Sequence, residues 1–354
     1  MSVTNATTRE LLHETKSRLG DDVLVAAHYY ALPEIKRWAD EIGDSLELAQ
    51  LAAEVDSSRA LVFCGVSFMA ETAAVLSGPD RPVFLPRPEA GCPLADSATA
   101  EGAAGAWAMM GSVARDFVPV TYVNSSTELK AFCGARGGAT CTSSSARDVF
   151  AAVEEAGRRV FFLPDINLGR NTARSLGIQE AAIAIFDPET ATFRGTGAPK
   201  DARMLIWKGS CPVHLEFLPR HVVEARKNPA TRIAVHPECS PEVCQLADEV
   251  GSTSHMVRSV AESPRDVHWA IGTEINLIRH LRSLHPDRTI TSLGPDRSCR
   301  DMHLTDEGDL LETLLQFEGG DESRRVRVSG VQARDALAAI ERMLAILRGE
   351  ALKP

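Results

Sequence analysis

Three cysteines stand in glycine- or serine-rich turns: Cys92 in AGCPLAD, Cys211 in WKGSCPVH and Cys299 in DRSCRDM. Thiolates are soft ligands that suit zinc, copper(I) or an iron-sulfur centre. The three lie too far apart for a local ligand signature, so only a fold that converges distant turns would make one centre of them. The chain has eight cysteines and no Cys-x-x-Cys pair. Cys64, Cys133, Cys141, Cys239 and Cys244 read as ordinary buried thiols.

A second group of residues is suited to moving protons. Residues 28–45, HYYALPEIKRWADEIGDS, match residues 236–253, HPECSPEVCQLADEVGST, at a constant offset. His28 aligns with His236, Pro33-Glu34 with Pro241-Glu242, Ala39-Asp40-Glu41 with Ala247-Asp248-Glu249, and Gly43 with Gly251. A fainter third copy is FVPVTYVNSSTELKAF. The matched pairs are His28-x-Tyr30, Tyr122-x-Asn124 and His236-x-Glu238. Imidazole, phenol and carboxylate are the side chains of general acid-base catalysis. All three tyrosines of the chain, Tyr29, Tyr30 and Tyr122, fall in these segments. Glu238 is the only carboxylate among the three pairs and is the expected proton shuttle, with Tyr30 relaying or orienting the proton.

The elements that must position these residues are strands followed by helices. DDVLVAAH and TRIAVH are short apolar strands. After each, Ile35, Trp38 and Ile42, or Val243, Leu246 and Val250, recur at i, i+3, i+7, which predicts a helix opening at Pro33 or Pro241. The third copy predicts a helix from Ser126-Thr127-Glu128. VFFLPDINLG and HWAIGTEINL share an acid-Ile-Asn-Leu signature after a strand, and RPVFLPRPEAGC ends a comparable one. Three related α/β units are the simplest reading.

In parallel α/β sheets ligands bind beyond the carboxyl ends of the strands, where helix amino termini present amide donors to anions. The candidates there are His28, Tyr30, Ser45, Tyr122, Asn124, Thr142, Ser143, His236, Glu238, Ser252 and Thr253. Glu71 and Asp165 read as capping acids. Residues 171–206 read as a surface excursion, since GTGAPK within them is too short for a nucleotide loop. GVQARDALAAIERMLAIL predicts a closing helix that packs back on the body.

The 354 residues suit two or three units of about 100–150 residues. A net charge of −10, with no long run of Lys or Arg, argues against nucleic acid as a partner. Anionic small substrates would need local positive groups. No apolar run approaches the roughly 18 residues of a membrane span, and the start has no signal-peptide core. The expected location is the cytoplasm, where a disulfide framework is not expected.

The chain resembles the quinolinate synthase family over residues 22–305. The motifs are AHYY, ADEIGDSLELA, VFCGVSFMAETAAVL, AGCPLAD, TYVNSSTELKA, CTSSSA, LPDINLGR, WKGSCPVH, HPECSPEV, ADEVGSTS and GTE, in the family's order. Ser145 in CTSSSA departs from an expected asparagine. The resemblance implies an α/β fold of three homologous αβα sandwich domains around a pseudo-threefold axis with a central active site. They would span 1–105, 106–213 and 214–305, with 306–354 as a carboxy-terminal closing segment. It implies a 4Fe-4S cluster held by Cys92, Cys211 and Cys299, one per domain, leaving one iron open as a Lewis acid. It also implies condensation of iminoaspartate with dihydroxyacetone phosphate to quinolinate, in NAD biosynthesis, with loss of phosphate and two waters. Substrate contacts carry over to His28, Tyr30, Ser45, Tyr122, Asn124, Ser143, His214, His236, Glu238, Ser252 and Thr253. Of these, His28, Tyr30, Tyr122, His236 and Glu238 are the expected catalytic set. Iminoaspartate is unstable, so an aspartate oxidase or dehydrogenase is the expected functional partner.

Two rival readings use the same residues. One is a zinc-dependent lyase or hydrolase with an open coordination position for water. The other is a non-catalytic iron-sulfur redox sensor.

Overall fold

The computed structural model describes residues 2–54, 60–195 and 199–352. Part of the GTGAPK stretch, 196–198, lies outside the described residues. The protein is α/β, and its strands form three sheets. Two compact units divide the chain: Met1–Cys92, Glu274–His280 and Ser298–Val328 form one, and Pro93–Thr273, Leu281–Arg297 and Ser329–Pro354 the other.

The first unit holds strands β1 (Val23–His28), β2 (Glu41–Gly43), β3 (Ala60–Cys64) and β4 (Val83–Phe84), in the order β2-β1-β3-β4. These strands pair parallel with one another, and Phe84 also bridges antiparallel to Arg325. Every residue of β1 is buried, as expected of a central parallel strand, and its run of apolar residues follows from that burial. Leu12, Val25, Val62, Leu310 and Leu314 share one core. The helices at either end of this unit's sequence thus close over the same sheet.

The predicted helix after β1 is only one turn long. It covers Pro33–Lys36, and Ile42 lies in β2 instead. The cause is Asp40, whose carboxylate accepts from the Val25 amide at 2.8 Å while its own amide donates to the Val25 carbonyl at 2.7 Å. These bonds draw the chain back beside β1, so an apolar residue at helical spacing joins the sheet instead.

The second unit contains two sheets. One runs β6-β5-β7-β10-β8-β9, with β5 (Phe117–Tyr122), β6 (Ala139–Cys141), β7 (Arg159–Leu163), β8 (Ile183–Asp187), β9 (Thr192–Gly195) and β10 (Met204–Trp207). The other runs β12-β11-β13-β14, with β11 (Thr231–Val235), β12 (Glu249–Val250), β13 (His268–Gly272) and β14 (Thr289–Ser292). In this unit β8 and β9 pair antiparallel, and the other described strand pairs are parallel. β8 and β9 come from the stretch read as a surface excursion, yet β8 pairs with β10 and is mostly buried, so the insertion extends the sheet.

The opening repeat is reproduced here bond for bond. Asp248 accepts from the Ile233 amide at 2.7 Å and donates to the Ile233 carbonyl at 2.9 Å. The helix is again short, Pro241–Leu246, and Val250 again joins the neighbouring strand.

The carboxy-terminal helix Gly330–Leu347 packs on the helix Thr127–Gly134. Gly134 permits the approach, because a Cβ there would stand 1.8 Å from the Asp335 carbonyl oxygen. Arg342 donates to the carbonyls of Gly134 and Gly138 at 3.1 and 2.8 Å, fastening the helix beside β6.

Candidate active site

Glu238, two residues beyond His236 at the end of β11, is buried with 2% exposure. Tyr122, the last residue of β5, donates its hydroxyl to Glu238 Oε1 at 2.7 Å. His214 Nδ1 donates to Glu238 Oε2 at 3.0 Å, and His214 Nε2 lies 3.1 Å from the Thr273 hydroxyl. The His214 and His236 rings stack with centroids 4.5 Å apart. Three strand ends and the Cys211 turn therefore bring a phenol, a carboxylate and two imidazoles together.

Burial opposes ionisation of Glu238, but the charges of His214 and His236 and hydrogen bonds from His214 and Tyr122 outweigh it, holding the carboxyl at about 2. Glu238 is therefore an anion throughout the neutral range. The Glu238 amide donates to His236 Nδ1 at 3.3 Å, which leaves Nε2 as the ring nitrogen that carries a proton. The group as a whole can orient a proton donor and balance a developing positive charge.

Asp165 and Asn167 belong to this neighbourhood although sequence reading kept Asp165 as a cap and overlooked Asn167. Asp165 does cap the helix Ile166–Ser175, accepting from the Leu168 amide at 2.6 Å. It is also fully buried, and burial, reinforced by the charge of Glu238, holds its carboxyl well above the ordinary carboxylate range. Asn167 donates to the Glu238 carbonyl at 3.2 Å. Asn171 donates to the carbonyls of Pro237 and Cys239 at 2.8 and 2.9 Å. The loop carrying Glu238 is thus held from outside by side-chain amides.

Cys211 directly precedes a single helical turn, Pro212–Leu215, which also carries His214. Gly209 lets its turn pass close to the chain: a Cβ there would stand 2.1 Å from Ser97 Oγ and 2.6 Å from the Pro164 carbonyl oxygen. Ligand atoms of Cys211, His214 and Glu238 all lie within 4.8 Å of one another, a spacing that can hold a metal ion. Asn124 Oδ1 is buried with no donor among the described residues. Ser252 caps the helix Thr253–Glu262 through the His255 amide at 3.2 Å, and Thr253 is buried at its first position. Ser143 is half-buried in the loop where Ser145 accepts from the Thr142 amide at 2.8 Å.

In the first unit, the Tyr30 amide donates to His28 Nδ1 at 3.1 Å, the same local bond that joins Glu238 to His236. The His28 and Tyr30 rings meet edge to face at 4.7 Å. Ser45 opens the helix Ser45–Glu54 but does not cap it; Asp44 does, accepting from Leu46 and Glu47 amides at 2.9 and 3.0 Å. Asn276 donates to the Tyr30 carbonyl at 3.1 Å. Glu274, fully buried, accepts from the Asn276 amide at 2.6 Å, lies 2.9 Å from His303 Nε2, and accepts from the Cys299 amide at 3.4 Å. Lys36 is buried beneath, donating to the carbonyls of Tyr29 and Asn276 at 2.8 and 2.9 Å. One polar network thus spans the Tyr30 segment and the Cys299 turn.

The eight thiols divide into two groups. Cys92, Cys211 and Cys299 are partly exposed, and the other five are buried. Burial raises Cys64 and Cys244 to about 12 and raises Cys133, Cys141 and Cys239 further from their ordinary value. Burial raises Cys299 as well, but amides of Asp301 and Met302 hydrogen-bond its sulfur and pull the other way. Amide donors aimed at sulfur favour the thiolate that a metal ligand must be.

These features define an α/β protein that sets a metal-competent thiol, imidazole and carboxylate beside acid-base groups at strand ends. The chain belongs to the quinolinate synthase family: the family model described as Quinolinate synthetase A protein matches residues 10–345. It is 42% identical to the quinolinate synthase of Anoxybacillus flavithermus over 333 residues, 93% of this chain and 91% of that protein. The quinolinate synthase of Bacillus subtilis is 40% identical over 334 residues, 94% and 91% of the two chains. Among the described residues no helix is long and apolar enough to cross a membrane.

Proposed function

We propose that the chain condenses iminoaspartate with dihydroxyacetone phosphate to quinolinate, releasing phosphate and two waters, as a step of NAD biosynthesis in the cytoplasm. Cys92, Cys211 and Cys299 would hold a 4Fe-4S cluster. Their exposure, against five buried thiols, and the amides at the Cys299 sulfur fit that group. When bound, the cluster supplies a Lewis-acidic iron that polarises a substrate oxygen.

The observation that carries this reading is the buried, ionised Glu238 between Tyr122 and His214. Ring formation demands that protons leave carbon and reach departing oxygens. Glu238 fixes the Tyr122 hydroxyl and the His214 Nδ1 proton in place and stabilises the imidazolium that proton uptake would create. A carboxylate of such low basicity serves better as this anionic partner than as a lone base, so Tyr122, Glu238 and His214 act as one proton-handling unit. Asn124 Oδ1 offers an acceptor to a substrate N–H or O–H. Ser143, in the loop before the helix Ala146–Glu155, and Ser252 and Thr253, at the start of the helix Thr253–Glu262, supply donors for carboxylate and phosphate oxygens. His28, Tyr30 and Ser45 complete the proposed substrate contacts.

The grouping of Cys211, His214 and Glu238 supports one alternative, a zinc lyase or hydrolase. Anaerobic purification followed by iron, sulfide and zinc analysis, with a quinolinate assay on the same sample, separates the two. Zinc without sulfide and without quinolinate would replace the first reading by the second. The partner expected to deliver iminoaspartate is an aspartate oxidase or dehydrogenase, because an imine of this kind hydrolyses in water.

A further inference from the structure

Beside the Glu238 loop the second unit carries a cavity of about 550 Å³ that Ser143, Arg147, Arg174, Ser252, His255 and Arg258 help to line. Among the described residues, no aspartate or glutamate lines it. Among the described residues, Arg147, Arg174 and Arg258 have no ion-pair or hydrogen-bond partner, although most other arginines of the chain do. Glu249, which bonds the lining residue His255 at 3.0 Å, is also paired with Arg232 at 2.7 Å.

Local helix energetics explain only one of the three cations. Arg174 stands in the last turn of the helix Ile166–Ser175, where the helix dipole favours positive charge. Arg147 stands in the first turn of the helix Ala146–Glu155, where the dipole disfavours it, and Arg258 lies inside the helix Thr253–Glu262. The whole chain carries a net charge of −10. Three unneutralised guanidiniums around one concavity therefore create a local positive field in an acidic protein, and such a field concentrates anions.

We propose that this cavity is a capture site for small doubly charged anions, carrying carboxylates or a phosphate, which it passes toward the serines on its wall. This rests on the function proposed above, whose two substrates and product are all anions. Ser143 and Ser252 line the cavity and also belong to the candidate substrate contacts, and Pro237, in the same wall, lies between His236 and Glu238. Guanidiniums bind carboxylate and phosphate alike through paired N–H donors. The arginines act before the chemistry, by raising the rate of productive encounter.

The test uses the full-length protein carrying R147A, R174A and R258A together, compared with the unsubstituted protein. All three side chains are exposed, so the melting temperature should hold. The expected result is a kcat/KM lowered about tenfold with kcat unchanged, and a loss of the fall in kcat/KM between about 0.02 and 0.2 M salt. Calorimetric titration at low salt with inorganic phosphate and, separately, with pyridine-2,3-dicarboxylate gives a readout independent of turnover. Weakened phosphate binding marks the cavity as a phosphate-ester site, and weakened dicarboxylate binding marks it as a dicarboxylate site. Unchanged binding of both anions with an unchanged salt dependence overturns the proposal, as does a fall in kcat with KM unaltered. If the unsubstituted protein makes no quinolinate, the function proposed above fails, and the two titrations still decide the cavity.

Discussion

Asn167 donates its side-chain amide to the main-chain carbonyl of Glu238 at 3.2 Å. Asn276 makes the equivalent bond to Tyr30 at 3.1 Å. Glu238 and Tyr30 are matched positions of the repeated segment, and both asparagines come from the acid-Ile-Asn-Leu signature. Each asparagine therefore fixes the backbone of one residue proposed to handle protons.

Replacing either asparagine by alanine should lower stability by about 1–2 kcal/mol, the cost of a buried carbonyl left without its donor. Turnover should fall further than this loss of folded protein explains, and the Asn167→Asp variant, whose carboxylate has no donor for the Glu238 carbonyl, should lose turnover as alanine does. Urea unfolding and quinolinate formation per folded molecule check both parts. Wild-type turnover in Asn167→Ala would show that the loop holds its shape unaided.

The thiols predict a sharp division. Cys92→Ala, Cys211→Ala and Cys299→Ala should each abolish the brown absorbance of a cluster assembled anaerobically, whereas Cys64→Ala, Cys133→Ala and Cys244→Ala should retain it. A Cys211→Ala protein with its full complement of iron and sulfide would remove that residue from the ligand set.

Lys36 gives the fold a pH dependence. Burial lowers its pKa to about 8 from 10.5, against the attraction of Glu274 and together with the repulsion of Arg279. The folded state releases this proton more readily than the unfolded one, so the contribution to stability rises with pH between those two values. It is absent below pH 8, where the buried ammonium remains charged. Relative to Lys36→Met, the natural protein should gain about 3 kcal/mol across this window. Denaturant unfolding of both proteins at each end of the window measures the difference, and parallel stability curves would contradict the assignment.

Glu238→Gln keeps the shape of the side chain and removes its charge. Because Glu238 is held at about 2, the defect should be the same at every pH near neutrality. Turnover should fall roughly a hundredfold or more, the range for loss of an acid-base group, while cluster content is retained. A defect that disappears as the pH rises would place a different protonation event at Glu238.

Much of this was legible in the sequence, and the remainder has physical causes. The repeat exposed the strand-end pairs because each copy must form the same bonds: Val25 to Asp40, and Ile233 to Asp248. The same bonds defeated the helix prediction, since the i+7 residues Ile42 and Val250 are apolar for the sheet. The paired acid-Ile-Asn-Leu signature was visible as an echo, but the role of its asparagine depends on a carbonyl far away in sequence. Lys36 left no signal, because lysine usually marks a surface, and Thr273 showed only as part of the GTE motif, with its bond to His214 set by the fold. Arg147, Arg174 and Arg258 are scattered among 38 basic residues, and only folding gathers them on one cavity.

The most direct test of the account is quinolinate formed per iron-sulfur cluster by anaerobically purified protein given iminoaspartate and dihydroxyacetone phosphate. The account predicts four irons and four sulfides per chain and stoichiometric release of phosphate with quinolinate. A protein that carries its cluster but forms no quinolinate from the two substrates would contradict it.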